Sequence, residues 1–432
     1  MMQLTKRDVL KLSGYSLMSS GAVVASPSPS IASGVINPVG LDVAPLRTLI
    51  KQQLQSQKAP GTSIVVFTSD KIRWAEGFGK SDVETGRPMR PENHQMIGSI
   101  TKTISTLAVM QLVERGALDL DQDISSYLPF TVRNPNHPLK AITLRQIVMH
   151  TSSLLDGPWP GPYTTSYRVG NHPQHYIHFA EQFYSDQGAF KDVDTKVFAD
   201  YAPGEQRTYA SVPWALVAYC IEARSGLKYG KYLDKNIFQP LGMTRSALSA
   251  NNLNPNDKNT QYINYQNGSP IFSVGRDMQH LLDYERIGLR RDQLITGLYP
   301  YVSQYGYPTF ADGGIWSSAI DLAKYAQGIL QAYRGAKTDL LKKETALDML
   351  TAHTAPINSK NKEKYPFGLG WRTFNTPDVS KMVWGHGGSE LGSRTIIKFI
   401  PDADIGVVTF TNIEKYDRDI VVDEVLQTFL NA

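Results

Sequence analysis

The chain has 432 residues, of which 41% are hydrophobic and 19% charged, so it is long enough to bury a large core. Its 44 basic and 40 acidic residues are spread along the chain, and the absence of a basic run argues against nucleic acid as a partner. The single cysteine, Cys220, excludes an internal disulfide and a cysteine-based zinc cage. Because Cys220 lies in an apolar helical stretch, it is expected to be a buried hydrophobe rather than a reactive thiol.

Residues 1–34 have the layout of a signal peptide. A charged segment from Thr5 to Lys11 precedes a weakly apolar stretch and a region rich in serine and proline. The charged start resembles a twin-arginine export signal, from which Lys6 and Val9 depart. We therefore expect an exported protein, periplasmic or secreted; the alternative is a short amphipathic helix. No later apolar run approaches the ~20 residues of a membrane span, so no transmembrane segment is expected.

The first predicted elements are a helix and a β-hairpin. Apolar residues recur at helical spacing from Val43 to Gln55. The β-branched run from Ser63 to Thr68 and the alternating run from Ile72 to Gly79 predict two strands, joined by a polar turn. This hairpin is expected to open an antiparallel sheet.

A buried helix is predicted next, because apolar residues lie nearly all round the helical wheel from Ser99 to Arg115. Two irregular tracts follow. Residues 154–208 are rich in aromatics, including Trp159, and residues 251–310 are rich in Asn and Tyr. Such tracts are either functional lids or packed surface loops. Further helices are predicted at 214–224 and 320–333.

The C-terminal region returns to strands. Short β-branched runs at 394–400 and 405–410 predict two strands, and 419–430 predicts a final helix. The fold class is therefore α+β, with one antiparallel sheet built from both chain ends and flanked by helices. We expect residues 40–95 plus 306–432 to form the sheet subdomain and residues 96–305 a largely helical subdomain that carries the active-site loops.

A Ser-x-x-Lys sequence occurs at Ser99 to Lys102, and two others start at Ser225 and Ser359. Only Ser99 opens a predicted buried helix. The spacing places Lys102 one turn along on the same face, where its amine can reach the serine oxygen. Burial would depress the pKa of Lys102 and let the neutral amine accept a proton. The alternative is an N-cap serine followed by a surface lysine.

Two further sequences contain groups that suit catalysis. Tyr209 and Ser211 precede the helix at 214–224, and a tyrosine beside a cation such as Lys102 can act as an acid or a base. Three glycines flank His386 in a Gly-His-Gly-Gly-Ser sequence that ends at Ser389. A backbone N–H in such a strand can stabilise an oxyanion, and a bulge in an edge strand is the competing explanation.

Histidines at 172, 175 and 178 raise the alternative of a metal site. A proline at 173 interrupts their spacing and no cysteine assists, so we do not expect a metal site.

Together and in order, the three motifs resemble the Ser-x-x-Lys, Tyr-x-Asn and Lys-Thr-Gly or His-x-Gly set of the penicillin-binding-protein and serine β-lactamase superfamily, which includes class C β-lactamases, D,D-peptidases and esterases. The resemblance extends over roughly residues 45–430. It is also carried by the segments at 142–154, 238–243, 312–323, 367–371 and 385–412.

The resemblance implies a β-lactamase/transpeptidase-like fold and a mechanism through an acyl-enzyme on Ser99. Lys102 and Tyr209 would move its proton, and the backbone N–H groups of Ser99 and Ser389 would form the oxyanion hole. His386 would belong to the catalytic set, and the resemblance implies no metal or organic cofactor. The substrate-binding residues would be Ser211, Gly387 and Gly388.

Two positions depart from the family pattern. Ser211 replaces the usual asparagine, which makes tight recognition of an acylamino side chain less expected. His386 replaces the lysine of class C β-lactamases, as in peptidase- and esterase-like members, and a neutral histidine holds a substrate carboxylate less firmly.

The function expected on this basis is hydrolysis of a D-amino-acid peptide bond or an ester, and the aromatics at 159–184 would suit an apolar acyl or aryl group. The partner would be a small molecule or a peptide, such as a cell-wall peptide, an ester or a β-lactam. The alternatives are a class C-like β-lactamase, a penicillin-binding sensor without turnover and an acyltransferase.

Overall fold

The structure is a computed structural model that describes residues 35–158, 160–170, 172, 174–190, 196–271, 278–302, 304–353, 366–377 and 379–432. The predicted export signal lies outside these ranges and stays a prediction. In the part of the chain that the structure describes, no helix combines the length and apolar character needed to cross a bilayer. Residues from Val35 to Ala432 form one compact unit, and the predicted division into two subdomains remains a prediction.

The strands of the described ranges are, in chain order, β1 (Gly61–Phe67), β2 (Ile72–Gly79), β3 (His94–Met96), β4 (Arg168–Val169), β5 (Tyr262–Gln266), β6 (Ser269–Pro270), β7 (Gly297–Pro300), β8 (Tyr305–Gly306), β9 (Trp316–Ser318), β10 (Arg372–Phe374), β11 (Val383–Glu390), β12 (Ser393–Ile400) and β13 (Ile405–Thr411). The α-helices are α1 (Ala44–Ser56), α2 (Ile100–Glu114), α3 (Leu144–Val148), α4 (Tyr176–Tyr184), α5 (Trp214–Ser225), α6 (Tyr229–Leu233), α7 (Tyr284–Ile287), α8 (Ala319–Tyr333), α9 (Lys343–Met349) and α10 (Asp419–Leu430).

A six-stranded antiparallel sheet joins the two ends of the chain, in the order β10-β11-β12-β13-β1-β2. The N-terminal strand β1 pairs with the last strand, β13, in a register that sets Val65 opposite Val408. This pairing confirms the predicted α+β class and the sheet built from both ends.

Helices cover both faces of the sheet. On one face, α1 and α10 pack over an apolar cluster in which the rings of Trp74 and Phe429 stack with centroids 6.0 Å apart. On the other face lie α2 and α8. Because both faces are covered, every residue of β1 and β13 is buried, instead of the alternation expected of a half-exposed strand.

The two irregular tracts contain more structure than their composition predicts. The first includes α4, whose aromatic residues pack into the main core. The second contains a small antiparallel sheet of order β6-β5-β7. Short strands are poorly predicted from sequence because their stability depends on the partner strand rather than on local preference.

Candidate active site

Ser99 lies at the N-cap of α2, with Lys102 one turn along. The Nζ atom of Lys102 lies 3.3 Å from the Ser99 Oγ. The Lys102 side chain is fully buried, and the Ser99 side chain makes no capping hydrogen bond. The alternative of a capping serine with a surface lysine is therefore wrong.

The charge of Lys102 differs from the expectation. Burial alone would lower its pKa, but the charges of Tyr209, Asp312 and Asp156 and a hydrogen bond with Tyr209 outweigh burial, so the pKa is raised. Lys102 Nζ donates to the Asp312 backbone oxygen at 2.8 Å and lies 3.6 Å from its carboxylate Oδ2. The prediction of a lowered pKa is therefore wrong, because the negative charges around Lys102, first that of Tyr209 and then that of Asp312, outweigh its burial.

The second motif also contacts Lys102. The Ser211 Oγ accepts a hydrogen bond from Lys102 Nζ at 3.3 Å, and the Tyr209 ring centroid lies 5.1 Å from the same nitrogen. The Asp156 carboxylate accepts the backbone N–H groups of Ser211 and Val212, both at 2.7 Å. Ser211 thus contacts the lysine despite its short side chain, and Asp156 fixes the loop that carries it.

His386 lies inside β11, close to the Tyr209 ring, with centroids 6.4 Å apart. Burial and the charge of Arg372 hold the pKa of His386 well below its usual range, so the imidazole is neutral. Strand β11 pairs with β12 in an unbroken register from Trp384 to Glu390, so the alternative of a bulge is wrong. Strand β10 pairs only with Val383 to Gly385, so the segment from His386 to Ser389 has a neighbouring strand on one side, β12.

The glycines of β11 are needed for close packing. A side chain at Gly388 would collide with the Ile97 backbone oxygen, and one at Gly387 with the Arg418 guanidinium. Gly98, which precedes Ser99, has a φ of +54°, and a Cβ there would lie 2.6 Å from the Ser389 backbone nitrogen. These contacts bring the backbone of Ser389 against that of the Ser99 turn; substrate contact by Gly387 and Gly388 stays a prediction.

A pocket with a volume of about 240 Å³ opens at Ser99. It is lined by Ser99, Tyr163, Tyr167, Ser211, Met278, Asp312, Gly313, Ser389, Glu390, Leu391, Arg394 and Glu414. The Tyr163 hydroxyl donates to Asp312 Oδ2 at 2.8 Å. Tyr163 and Tyr167 of the aromatic tract therefore line this pocket, and Trp159 lies outside the described residues.

A family model described as Beta-lactamase matches residues 46–430. The chain belongs to the Beta-lactamase family.

A curated relative of this chain has low sequence identity to it. "Protein flp" of Staphylococcus aureus strain MRSA252 is 27% identical over 231 residues, which are 52% of this chain and 42% of that protein. The chain thus spans less than half the length of this curated relative.

Two solved structures confirm the β-lactamase/transpeptidase fold. An octameric penicillin-binding protein homologue from Pyrococcus abyssi has a TM-score of 0.66 and 25% identity, covering 90% of this chain and 78% of that one. A D-stereospecific amidohydrolase from Streptomyces sp. has a TM-score of 0.59 and 21% identity, covering 88% of this chain and 98% of that one.

Three groups that contact Lys102, Tyr209 or Ser211 were not assigned from sequence. His150 lies in a segment similar to the Beta-lactamase family, with its ring centroid 4.2 Å from that of Tyr209 and its Nδ1 accepting the Ala210 N–H at 3.3 Å. Its positive φ of 58° is invisible in a sequence. Asp156 and Asp312 lie 55 and 101 residues from Ser211, so no spacing rule links them to it.

The other candidates from the sequence do not join the site. Ser225 ends α5 beside the left-handed Gly226, while Ser359 lies outside the described residues. Cys220 is buried, and burial raises the pKa of its thiol. Within the described ranges, no cluster of three or more histidine, cysteine or acidic side chains could hold a metal; His175 instead caps α4.

Proposed function

We propose that this protein is a serine hydrolase that cleaves a D-amino-acid peptide bond or an ester through an acyl-enzyme on Ser99. The observation that carries the proposal is the distance of 3.3 Å between the Ser99 Oγ and the buried Lys102 Nζ, at the mouth of a pocket. Membership of the Beta-lactamase family and the likeness to a D-stereospecific amidohydrolase support it.

The arrangement supports distinct roles for the polar groups. Because the pKa of Lys102 is raised, its ammonium would hold Tyr209 as a phenolate, and this phenolate would accept the Ser99 proton as Oγ attacks the carbonyl carbon. The negative charge would then pass to the oxyanion of the tetrahedral intermediate. The proton would then pass to the leaving group, and Tyr209 would activate the water that releases the acyl group. The N–H groups of Ser99 and Ser389 would bind the oxyanion, where one donor is worth on the order of a hundredfold in rate.

The first prediction concerns Ser99 itself. Ser99→Ala should abolish hydrolysis and leave the far-ultraviolet circular dichroism unchanged, because the side chain makes no capping hydrogen bond. Turnover of p-nitrophenyl butyrate, a D-alanyl peptide and nitrocefin should be measured for both proteins. Normal turnover by the variant would end the proposal.

The same substrates separate the alternatives. Efficient nitrocefin hydrolysis with the other two untouched would favour a β-lactamase. A stable fluorophosphonate or penicillin adduct on Ser99, seen by intact mass without product release, would favour a sensor. Product carrying an added amine or alcohol would favour an acyltransferase. Export to the periplasm or medium is part of the proposal and is tested by fractionating cells that express the full chain.

A further inference from the structure

A second cavity, with a volume of about 980 Å³, lies apart from the pocket at Ser99. It is lined by the start of α4, by α6, and by the segments at 242–253 and 304–310. Among the described residues, none lines both the cavity and the Ser99 pocket. The volume is at the upper end of the ~300–1,000 Å³ that is usual for small-molecule sites. The proposed hydrolytic mechanism uses no residue of this cavity.

The wall of the cavity is rich in aromatic rings. They include Tyr176, Tyr229, Tyr305, Tyr307, Phe310 and Trp316. The ring of Phe310 contacts those of Tyr176 and Tyr229, with centroids 5.0 and 5.7 Å apart. The Tyr229 hydroxyl in turn forms a hydrogen bond of 2.7 Å with the Ser105 Oγ. These contacts fix the rings before a ligand binds, and a preformed aromatic wall suits a flat aromatic ligand.

The charges of the cavity lining balance. Its acidic and basic residues are two of each, Glu222 and Asp234 with Lys228 and Lys231. The Lys228 Nζ lies 3.3 Å from the Glu222 Oε2, so these two charges are already paired. Burial lowers the pKa of His172 and of His175, so neither imidazole adds a charge at pH 7. A described lining without net charge favours a neutral ligand, because an ion would lose its hydration without a counter-charge.

Stacked tyrosines separate the cavity from the Ser99 pocket. Tyr305 and Tyr307 line the cavity, whereas Tyr167 lines the pocket. The ring of Tyr167 stacks on those of Tyr305 and Tyr307, with centroids 6.1 and 4.5 Å apart. The Tyr307 hydroxyl also donates to the Glu390 Oε2 at 3.1 Å. A ligand in the cavity and an acyl group on Ser99 would therefore occupy different volumes on the two sides of this wall.

We propose that this cavity is a second ligand site, which binds a neutral aromatic small molecule and leaves the Ser99 pocket free for substrate. The aromatic rings would pack on the ligand, and the flexible thioethers of Met96 and Met243 in the lining would adapt to its outline. The proposal goes beyond the hydrolase function and does not depend on it, because binding uses none of the groups around Ser99. An aliphatic chain is the competing occupant.

The first test is a fluorescence titration with N-phenyl-1-naphthylamine, a neutral aromatic probe that brightens in apolar surroundings. We expect one saturable site per chain. Leu248 is partly buried in the cavity lining, and Leu248→Trp should fill part of the volume and weaken binding at least tenfold. Leu347→Trp is the matched control, because Leu347 is exposed on α9 outside the cavity, and it should keep the affinity. Equal affinities of these two variants would place the probe elsewhere and overturn the proposal.

A ligand series on the unmodified protein tests the chemical class without a risk of misfolding. The probe 8-anilino-1-naphthalenesulfonate has the same rings and a negative charge, and it should bind at least tenfold more weakly. Equal binding would overturn the preference for a neutral ligand. Decan-1-ol should displace N-phenyl-1-naphthylamine at least tenfold less well than 1-naphthol does, and equal displacement would identify an aliphatic site instead.

Phe310→Leu tests the contribution of one ring. The variant keeps apolar bulk and loses the aromatic contacts, so it should weaken binding of N-phenyl-1-naphthylamine about two- to tenfold. Unchanged affinity would contradict recognition by the aromatic wall.

The separation of the two sites is tested by labelling Ser99 with a fluorophosphonate at a saturating concentration of N-phenyl-1-naphthylamine. The labelling rate should change less than twofold. Protection of Ser99 would place the probe in the Ser99 pocket and overturn the second site. A complete lack of Ser99 labelling without the probe would overturn the hydrolase proposal alone, because the titrations decide the cavity independently.

Discussion

Tyr209 is the residue whose proposed role depends most on a neighbour. Its ring lies against Lys102 and His150, and it is 37% exposed, so its phenol is open to the site. Loss of the hydroxyl in Tyr209→Phe would remove the proposed proton acceptor and keep the ring packing.

We expect Tyr209→Phe to lower kcat/KM for p-nitrophenyl butyrate by about 10²–10⁴-fold, the usual contribution of a general acid or base. Tyr333→Phe, which removes a hydroxyl bound to Asp402 on the surface, is the control, and its kcat/KM should equal that of the unmodified protein. A rate for Tyr209→Phe within twofold of the unmodified protein would exclude Tyr209 as the proton acceptor.

The raised pKa of Glu390 leads to a prediction about the pH dependence of stability. Its folded-state pKa of about 8 exceeds the unfolded value near ~4.3, so the unfolded state holds fewer protons between these values. The contribution of Glu390 to stability is therefore fully present below pH ~4.3 and is lost as the pH rises towards 8.

Glu390→Gln should remove this loss. The free energy of unfolding of the variant relative to the unmodified protein should increase from pH 5 to pH 8, by at most about 1.4 kcal/mol per pH unit for one proton. Urea unfolding at several pH values measures the difference, and Glu424→Gln, at an exposed position on α10, should show no such trend. A difference independent of pH would mean that Glu390 ionises normally in the folded state.

At the scale of elements, the site depends on how closely β11 approaches the turn before α2. Gly98 permits this approach in two ways: its φ is positive, and it has no Cβ to meet the backbone of Ser389. The proposed oxyanion hole would thus depend on the contact between these two elements.

Gly98→Ala should therefore lower both activity and stability. Gly116→Ala is the matched control, because Gly116 has a φ of +66° and no atom lies within 4 Å of an added Cβ. The control should lose about 1–2 kcal/mol through backbone strain alone and keep its kcat. The Gly98 variant should lose more stability and at least tenfold in kcat, measured by urea unfolding and ester hydrolysis. Equal effects in the two variants would contradict the close contact.

At the scale of the whole molecule, α10 closes the sheet face opposite the site. Leu426 on this helix is fully buried in the cluster formed with α1, whereas Ile420 on the same helix is 46% exposed. The C-terminal helix therefore stabilises the sheet that both chain ends build, without contributing to the pocket.

Leu426→Ala should cost about 2–5 kcal/mol in the free energy of unfolding, the usual range for a buried leucine. Ile420→Ala should cost less than about 0.5 kcal/mol. Both variants should keep kcat/KM for p-nitrophenyl butyrate when folded. A large loss of activity in folded Leu426→Ala would show that this face of the sheet is coupled to the site.

Local patterns were sufficient for the main elements. The helical spacing at 43–55 and the β-branched runs at 394–400 and 405–410 predicted α1, β12 and β13 to within about two residues. The order of the motifs around Ser99, Tyr209 and His386 predicted the family, because this order can be read from the sequence without knowing which residues are in contact.

Only the tertiary structure decided the electrostatics of the site. The pKa of Lys102 is raised because Tyr209, 107 residues away, and Asp312, 210 residues away, lie beside it, whereas the sequence alone predicted a lowered pKa. Glu390 and Glu414 likewise line the same pocket only in the folded protein, where β11 and the segment after β13 lie close together. The amino-acid order determines which side chains exist and which elements form, but charge depends on distance and burial, and both are set by chain segments far apart in sequence.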